Sequence, residues 1–571
     1  MYKVFMIRVL CILFLFFGHG GLNCFSQNEN NNNRLRELVR KYGQADVIIP
    51  LTDNRSLDIL TRNSSILSVR DKRVYISLSP RTIEWFIQQK YDFEIIDNTG
   101  GKNIITASDL NDAMEWDKYP AYSQYDSIMQ SFAENYPDIC RLDTIGTSIN
   151  GKLVLALKIS DNPADDEDEP AVFYTSTIHG DETGGFVLML RLADYLLKNY
   201  DLDTRVSNLA DNLEIWINPL SNPDGTYGTG NLIISPTRYN ANGVDLNRNF
   251  PDPFQPEELQ QKENTDMIKF MRKHKFALSA NFHSGAEVVN YPWDRWLSKY
   301  HADNLWFNAI SRAYADTVHT YAGPAYMNDL DNGVTRGSEW YVIYGGRQDF
   351  VTGELQGREV TIELDYIKIT PAAQLELLWQ YNQRSLLGYL ENALYGIHGR
   401  VRDSGTKAPV AAKIFIEAHD KDGSHVYSDS LSGSFVRFLE PGIWDLTFSA
   451  EGYISDTLRN IAVFQGQKTL VEIDLIPGVN SIDTANPDLP LLYPNPATTE
   501  IYALLPEGVI GNVNITILDQ SGRVVSENIT EVTKGVPVRV SLLHFPGGVY
   551  SVIFENNRIK GSFHSRFIVI K

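Results

Sequence analysis

At 571 residues the chain is too long for one ordinary core, so several domains are expected. Lys and Arg total 51 against 71 Asp and Glu, a formal charge of -20, and this excludes nucleic acid as the natural partner because a phosphate backbone would be repelled. Cys140 is the sole cysteine beyond the N-terminal stretch that holds Cys11 and Cys24, so no internal disulfide is expected and stability must come from core size and metal.

Lys3 and Arg8 precede the apolar run 9–17, and a polar stretch ends near Ser26 and Gln27, the pattern of a signal peptide over residues 1–26. Asn23 stands where a small residue would precede a lipidated Cys24, which disfavours a lipoprotein anchor. No later stretch is apolar for long enough to cross a bilayer, so no transmembrane span is expected in the mature protein. Residues 27–108 predict a small α+β region. Its strands are 46–50, 73–78 and 93–96, an amphipathic helix runs from Ser79 and Pro80 through Gln89, and 98–103 reads as a linker.

Over 109–394, strand candidates at 153–159, 171–178, 213–218, 276–282 and 360–364 alternate with longer helical patterns. This predicts an α/β domain, a mixed sheet with helices on both faces. The stretch 161–170 reads as an exposed acidic loop, with calcium binding as the lesser alternative. Residues 395–477 change to short alternating strands separated by turns, as in a small β-sandwich. A linker at 478–490 and a second β-sandwich at 491–571 complete the multidomain architecture. Neither β unit offers a cluster of titratable groups, so neither is expected to carry chemistry.

The chemistry concentrates in a few strings. An apolar strand delivers His179, and Glu182 follows as the chain turns toward a helix. Nitrogen and carboxylate ligands three positions apart at a rigid strand end suit zinc, which takes three protein ligands and keeps an open fourth position. A second apolar strand delivers His283 in the same format, and open α/β sheets gather ligands at that strand edge. A coordinating carboxylate has lost much of its basicity, so a separate base is needed, and Glu363 stands in the apolar strand 360–364. Arg238 and Arg248 lie in a loop rich in Asn and Gly; a guanidinium grips a carboxylate through two parallel hydrogen bonds. Read singly, each of these residues has a plainer alternative, namely a core histidine, a solvated arginine or an exposed strand carboxylate.

Residues 115–390 resemble the M14 family of zinc carboxypeptidases, particularly its regulatory, carboxypeptidase N/E-like branch. The matching motifs, in order, are His179-Gly180-Asp181-Glu182, Asn222-Pro223-Asp224-Gly225, Asp245-Leu246-Asn247-Arg248-Asn249-Phe250-Pro251, His283 with Asn290-Tyr291-Pro292, Gly346-Arg347-Gln348-Asp349-Phe350 and Thr361-Ile362-Glu363-Leu364. The resemblance implies one zinc ion held by His179, Glu182 and His283, with Glu363 as catalytic glutamate and Arg238 stabilising the oxyanion. It further implies that Asn247 and Arg248 clasp the terminal carboxylate and that Tyr341 closes over substrate. Asp294 matches the pocket acid that selects C-terminal Arg or Lys, and Gln348 leaves that charge uncompensated. Asp181 replaces the arginine usual after His-Gly, which puts the electrostatics around Glu182 in question.

In front of such a hydrolase, residues 27–108 are compatible with an inhibitory prosegment or with a plain accessory domain. Residues 396–476 resemble the transthyretin-like domain of the same branch. Residues 491–571 resemble the C-terminal sorting domain of type IX secretion cargo, through Tyr493-Pro494-Asn495-Pro496-Ala497 and the terminal Arg566-Phe567-Ile568-Val569-Ile570-Lys571. The implied partners are peptides or proteins with free C-termini and the type IX secretion machinery. The implied location is secreted or cell-surface, reached through the periplasm. Rival readings are a zinc amidase or endopeptidase on cell-wall peptides and a catalytically inactive surface-binding homologue; a sugar-binding protein lacks any supporting aromatic cluster.

Overall fold

The computed structural model describes residues 29–96, 104–254, 259–478, 490–506, 509–556 and 562–571. The expected signal peptide, the linker 98–103 and nearly all of the linker 478–490 lie outside the described residues.

The N-terminal region is an antiparallel sheet in the order β2-β3-β1-β4, formed by β1 (Ala45–Pro50), β2 (Ser65–Arg70), β3 (Arg73–Leu78) and β4 (Glu94–Ile96). A helix at 29–42 and helices Asn54–Asn63 and Ile83–Gln89 accompany it. The helix Asn54–Asn63 and β2 were not expected. The helix is mostly polar and is announced chiefly by its cap, where the Asp53 side chain accepts from the Ser56 N–H at 2.8 Å. In β2 a bulge between Ile66 and Ser68 breaks the period-2 pattern. The apolar core of this region extends beyond it to Tyr341 and Ile343.

An eight-stranded sheet forms the centre of the molecule, in the order β11-β10-β12-β9-β7-β8-β6-β5. Its strands are β5 (Cys140–Thr147), β6 (Leu153–Ile159), β7 (Ala171–Ser176), β8 (Glu214–Asn218), β9 (Leu278–His283), β10 (Ala286–Tyr291), β11 (Val334–Arg336) and β12 (Arg358–Asp365). The sheet is mixed: β8-β7-β9-β12 run parallel, while β6 meets β8, and β10 meets β12, in antiparallel register. Alternation along β7 covers both faces. Val172 and Tyr174 join the core beneath helices Gly184–Asn199 and Ala372–Glu391, whereas Ala171 and Phe173 join the core beneath Lys262–His274 and Arg347–Glu354. The strands β5, β10 and β11 were not expected; β5 is interrupted by a bulge between Thr144 and Gly146, and β11 is three residues long.

Two β-rich regions follow. In the first, strands Gly396–Asp403, Ser434–Arg437 and Lys468–Leu475 make one sheet. A four-stranded sheet between Lys413 and Val463 covers the same apolar core. The second region again combines three-stranded and four-stranded sheets over one core, between Leu491 and Val569. No helix among the described residues is long and apolar enough to cross a membrane.

The expectation that neither β unit gathers titratable groups is wrong for the first. Arg437, at the end of strand Ser434–Arg437, donates to Asp303 at 2.6 and 2.9 Å and to Asp420 at 2.7 Å. Arg358 at the start of β12 donates to the same Asp303 at 2.7 Å, and His419 lies 3.0 Å from Asp420. Four separate stretches of chain supply these groups, and only the adjacent pair His419 and Asp420 could have been seen in the sequence.

Candidate active site

His283 is the last residue of β9, and Glu363 in β12 is its direct neighbour across the parallel pair. The chain leaves β7 through Thr177, whose φ of 59° is unusual for a β-branched residue. That turn is held by the Thr177 hydroxyl donating to the Glu182 carbonyl at 3.2 Å and by the Asn222 N–H donating to the Thr177 carbonyl at 3.1 Å. It brings His179 and Glu182 beside His283: His179 Nδ1 lies 2.9 Å from Glu182 Oε1, and His283 Nδ1 lies 2.8 Å from Glu182 Oε2 and 3.1 Å from His179 Nδ1.

All three side chains are 3% exposed. Their converging atoms are lone-pair donors, and such a set fits a divalent ion of the N/O-ligated kind. Burial pushes His283 down to about 4, which keeps the imidazole neutral and able to coordinate. Burial would raise Glu182, but the two imidazoles hold its carboxyl well below the usual range. Glu363 is different. Burial, followed by the nearby Glu182 charge, raises its carboxyl well above the usual range, and among the described residues its shielded Oε2 has no hydrogen-bond partner. With β10 on one side and β9 on the other, Glu363 lies on an interior strand, not on the exposed edge.

Arg238 is buried beside this centre. Its Nε donates to Asp245 Oδ2 at 2.8 Å, and its Nη1 lies 3.3 Å from Glu182 Oε1 and 3.1 Å from His179 Nδ1. Asp245 also meets His179 Nε2 at 3.1 Å, so it orients the imidazole from behind. Against the cost of burial, Arg238 and His179 hold the Asp245 carboxyl well below the usual range. Asp245 stands within a sequence motif, but its spacing from Arg238 is silent about a shared partner. Asp181 is buried and receives Lys368 Nζ and Gln44 Nε2, each at 3.2 Å, so its charge is paired rather than free to act on Glu182.

The remaining candidates surround the same crevice. Asn247 Oδ1 accepts from the Arg347 N–H at 2.9 Å, and Arg248 Nη1 donates to the Asn247 carbonyl at 2.8 Å. Tyr341 is buried and pushed up to about 12 by that burial, while Arg248, Arg238, Glu363 and Asp294 all act on it electrostatically. Asp294 is 3% exposed, so the surface-loop alternative does not apply. Gln348 Nε2 donates to Asp294 Oδ1 at 2.9 Å and also reaches Asn290 Oδ1 at 3.2 Å. The Asp294 charge therefore has a hydrogen bond but no counter-ion from Gln348, and burial with Asp349 nearby raises its carboxyl well above the usual range.

The N-terminal region presses on these loops. The Ser65 hydroxyl donates to Asp245 Oδ2 at 2.7 Å, the Arg238 N–H donates to Gln44 Oε1 at 2.7 Å, and the Tyr341 hydroxyl reaches the Ile66 carbonyl at 3.4 Å.

Comparison with known proteins agrees with this geometry. The family described as zinc carboxypeptidase matches residues 125–385, and the secretion system C-terminal sorting domain matches residues 491–571, which indicates secretion or a cell-surface location. Carboxypeptidase D of Homo sapiens is 34% identical over 351 residues, 59% of this chain but 25% of that protein, so the chain spans about a quarter of that relative. Carboxypeptidase SOL1 of Arabidopsis thaliana is 32% identical over 379 residues, covering 64% of this chain and 73% of the relative. The carboxypeptidase N catalytic chain of Homo sapiens is 30% identical over 413 residues, covering 64% and 88%. With six motifs in order and relatives matched over most of their length, the chain belongs to the M14 zinc carboxypeptidase family.

Proposed function

We propose that the protein is a secreted zinc exopeptidase that hydrolyses the C-terminal peptide bond of peptides or proteins, with preference for a terminal Arg or Lys. The observation that carries this reading is the convergence of His179, Glu182 and His283 beside Glu363, whose buried Oε2 has no hydrogen-bond partner among the described residues.

His179, Glu182 and His283 would hold the ion. Zinc, when bound, supplies Lewis acidity toward a water and toward the scissile carbonyl. Glu363 takes the proton of the attacking water, and burial makes its carboxylate a stronger base than an exposed one. Arg238 donates to the oxyanion that develops on the carbonyl oxygen, a contribution of roughly 3 kcal/mol or more in comparable sites. Asn247 and Arg248 clasp the free α-carboxylate, which distinguishes this reading from an amidase, and Tyr341 closes over the substrate. Asp294 receives the cationic side chain; a guanidinium or ammonium at that position restores the ionised carboxylate that burial disfavours.

In the same reading, residues 27–108 act as an inhibitory prosegment. Ser65 donates to Asp245, Gln44 accepts from the backbone N–H of Arg238 and the Ile66 carbonyl accepts from Tyr341, contacts that support prosegment over accessory domain. Residues 395–477 are taken as a transthyretin-like domain. Residues 491–571 direct export through the periplasm by the type IX machinery. The test is a panel of short peptides differing only in the last residue, assayed with and without a chelator after removal of residues 27–108. Release of terminal Arg or Lys that stops on chelation is expected. Chelator-resistant cleavage would remove the zinc reading, and faster release of Phe or Leu would remove the role of Asp294.

A further inference from the structure

A buried polar chain runs along the sheet to the back of His283. Asn281 and His283 are two residues apart on β9 and so share one face, and Thr175 on β7 lies directly across from Asn281. The Asn281 side-chain nitrogen lies 2.8 Å from His283 Nε2, and the Thr175 hydroxyl donates to Asn281 Oδ1 at 3.1 Å. Arg347 Nη1 donates to Thr175 Oγ1, and Arg347 Nη2 donates to Glu359 Oε2 at 3.0 Å. Thr175, Arg347 and Glu359 are fully buried and Asn281 is 1% exposed, so no water competes for these bonds. A fully buried ion pair is a weak source of stability, and its best-supported use is to fix one arrangement of the groups it touches.

That arrangement bears on the ring of His283. Its Nδ1 faces Glu182 and His179, so Nδ1 offers its lone pair to a cation there and the ring proton belongs on Nε2. A protonated Nε2 requires an acceptor. The amide oxygen and nitrogen of Asn281 exchange places by a half-turn of the side chain, which costs no space. After that turn Oδ1 accepts from Nε2–H, and the amide nitrogen donates to Thr175 Oγ1, whose second lone pair accepts from Arg347.

We infer that Asn281 is the positioning residue for His283, its amide oxygen accepting from Nε2–H while Thr175 and the Arg347–Glu359 pair hold the amide in place. The inference rests on the zinc reading of the site. The same Arg347 holds Asn247 through its backbone N–H, so one residue touches the metal side of the crevice by its guanidinium and the carboxylate side by its peptide group.

The experiment measures zinc affinity of the full chain by competition with a chromophoric chelator. Variants are Asn281→Leu, Asn281→Asp and Thr175→Val, each with a circular-dichroism check of folding. Asn281→Leu is expected to lose about 10- to 100-fold in affinity, and Thr175→Val a smaller part of that range. Asn281→Asp, whose carboxylate can only accept, is expected to hold zinc as tightly as the parent chain or tighter. Affinity unchanged in Asn281→Leu, or as weak in Asn281→Asp as in Asn281→Leu, overturns the inference while leaving the zinc reading intact. A parent chain without stoichiometric zinc overturns both. Should Asn281→Leu not fold, a weakened Asn281→Asp or an unaffected Thr175→Val overturns the inference.

Discussion

Two buried clusters of charged and ionisable groups, of similar composition, serve opposite ends in this molecule. Around Asp303 two acids meet two arginines: Arg437 and Arg358 both donate to Asp303, and Arg437 also reaches Asp420. Around Glu182 the acid meets two imidazoles whose lone pairs face inward, with the Arg238 guanidinium 3.3 Å away and a second carboxylate, Glu363, whose buried Oε2 has no hydrogen-bond partner among the described residues. Both contain His, Asp or Glu atoms close enough to hold a metal ion. The difference lies in the converging groups, since each cluster has a guanidinium at hand. Where guanidinium already fills the space between the carboxylates the cluster is a latch, here tying the first β region to the central sheet. Where two imidazole nitrogens and a carboxylate converge, the donor set is that of a metal site, and Arg238 stands beside it.

Breaking each cluster at one residue tests this division. Glu363→Gln is expected to lower turnover about 10^3-fold while zinc content, measured by atomic absorption, stays stoichiometric. Arg437→Leu leaves Asp303 and Asp420 without their shared cation, and a loss of about 3–5 kcal/mol in denaturant unfolding is expected with zinc affinity unchanged. A destabilisation much below that range would mean that the latch does not join the two regions. The smallest effect is on acid stability. Burial, followed by Arg358, holds His301 down to about 3 from an ordinary value of 6.5, so it is neutral in the folded chain. The unfolded chain takes up that proton first, and stability is lost as pH falls from 6.5 toward 3. Asp420 adds to the loss lower down: burial opposes its ionisation, but His419 and Arg437 hold it at about 2, so its contribution is present above 3.8 and disappears as pH falls toward 2. A thermal midpoint that stayed flat between pH 6.5 and 4 would remove His301 from this account.

Within one chain, legibility followed sequence distance. His179 and Glu182 are three residues apart at the end of an apolar strand, and His283 and Glu363 each sit in strands whose period was plain. Their convergence could be expected because parallel strands present their carboxyl ends to one edge. Asp245 and Lys368 could not be assigned, because each acts through a partner brought in from another strand or loop. Strands β2 and β5 were missed where bulges interrupt alternation. For Asn281 the signal was present, since it shares the face of His283, but nothing local distinguishes a positioning amide from a buried polar residue.

The amino-acid order by itself determined which residue types stand at strand ends and hence the kind of chemistry the chain can support. Only the tertiary structure decided which charges are paired. The counter-ion of Asp181 is Lys368, that of Asp303 is Arg437 with Arg358, and the buried Oε2 of Glu363 has no hydrogen-bond partner among the described residues. Pairing is set by through-space distance in a low-dielectric interior, where a few ångströms change an interaction several-fold, and no spacing along the chain encodes that distance.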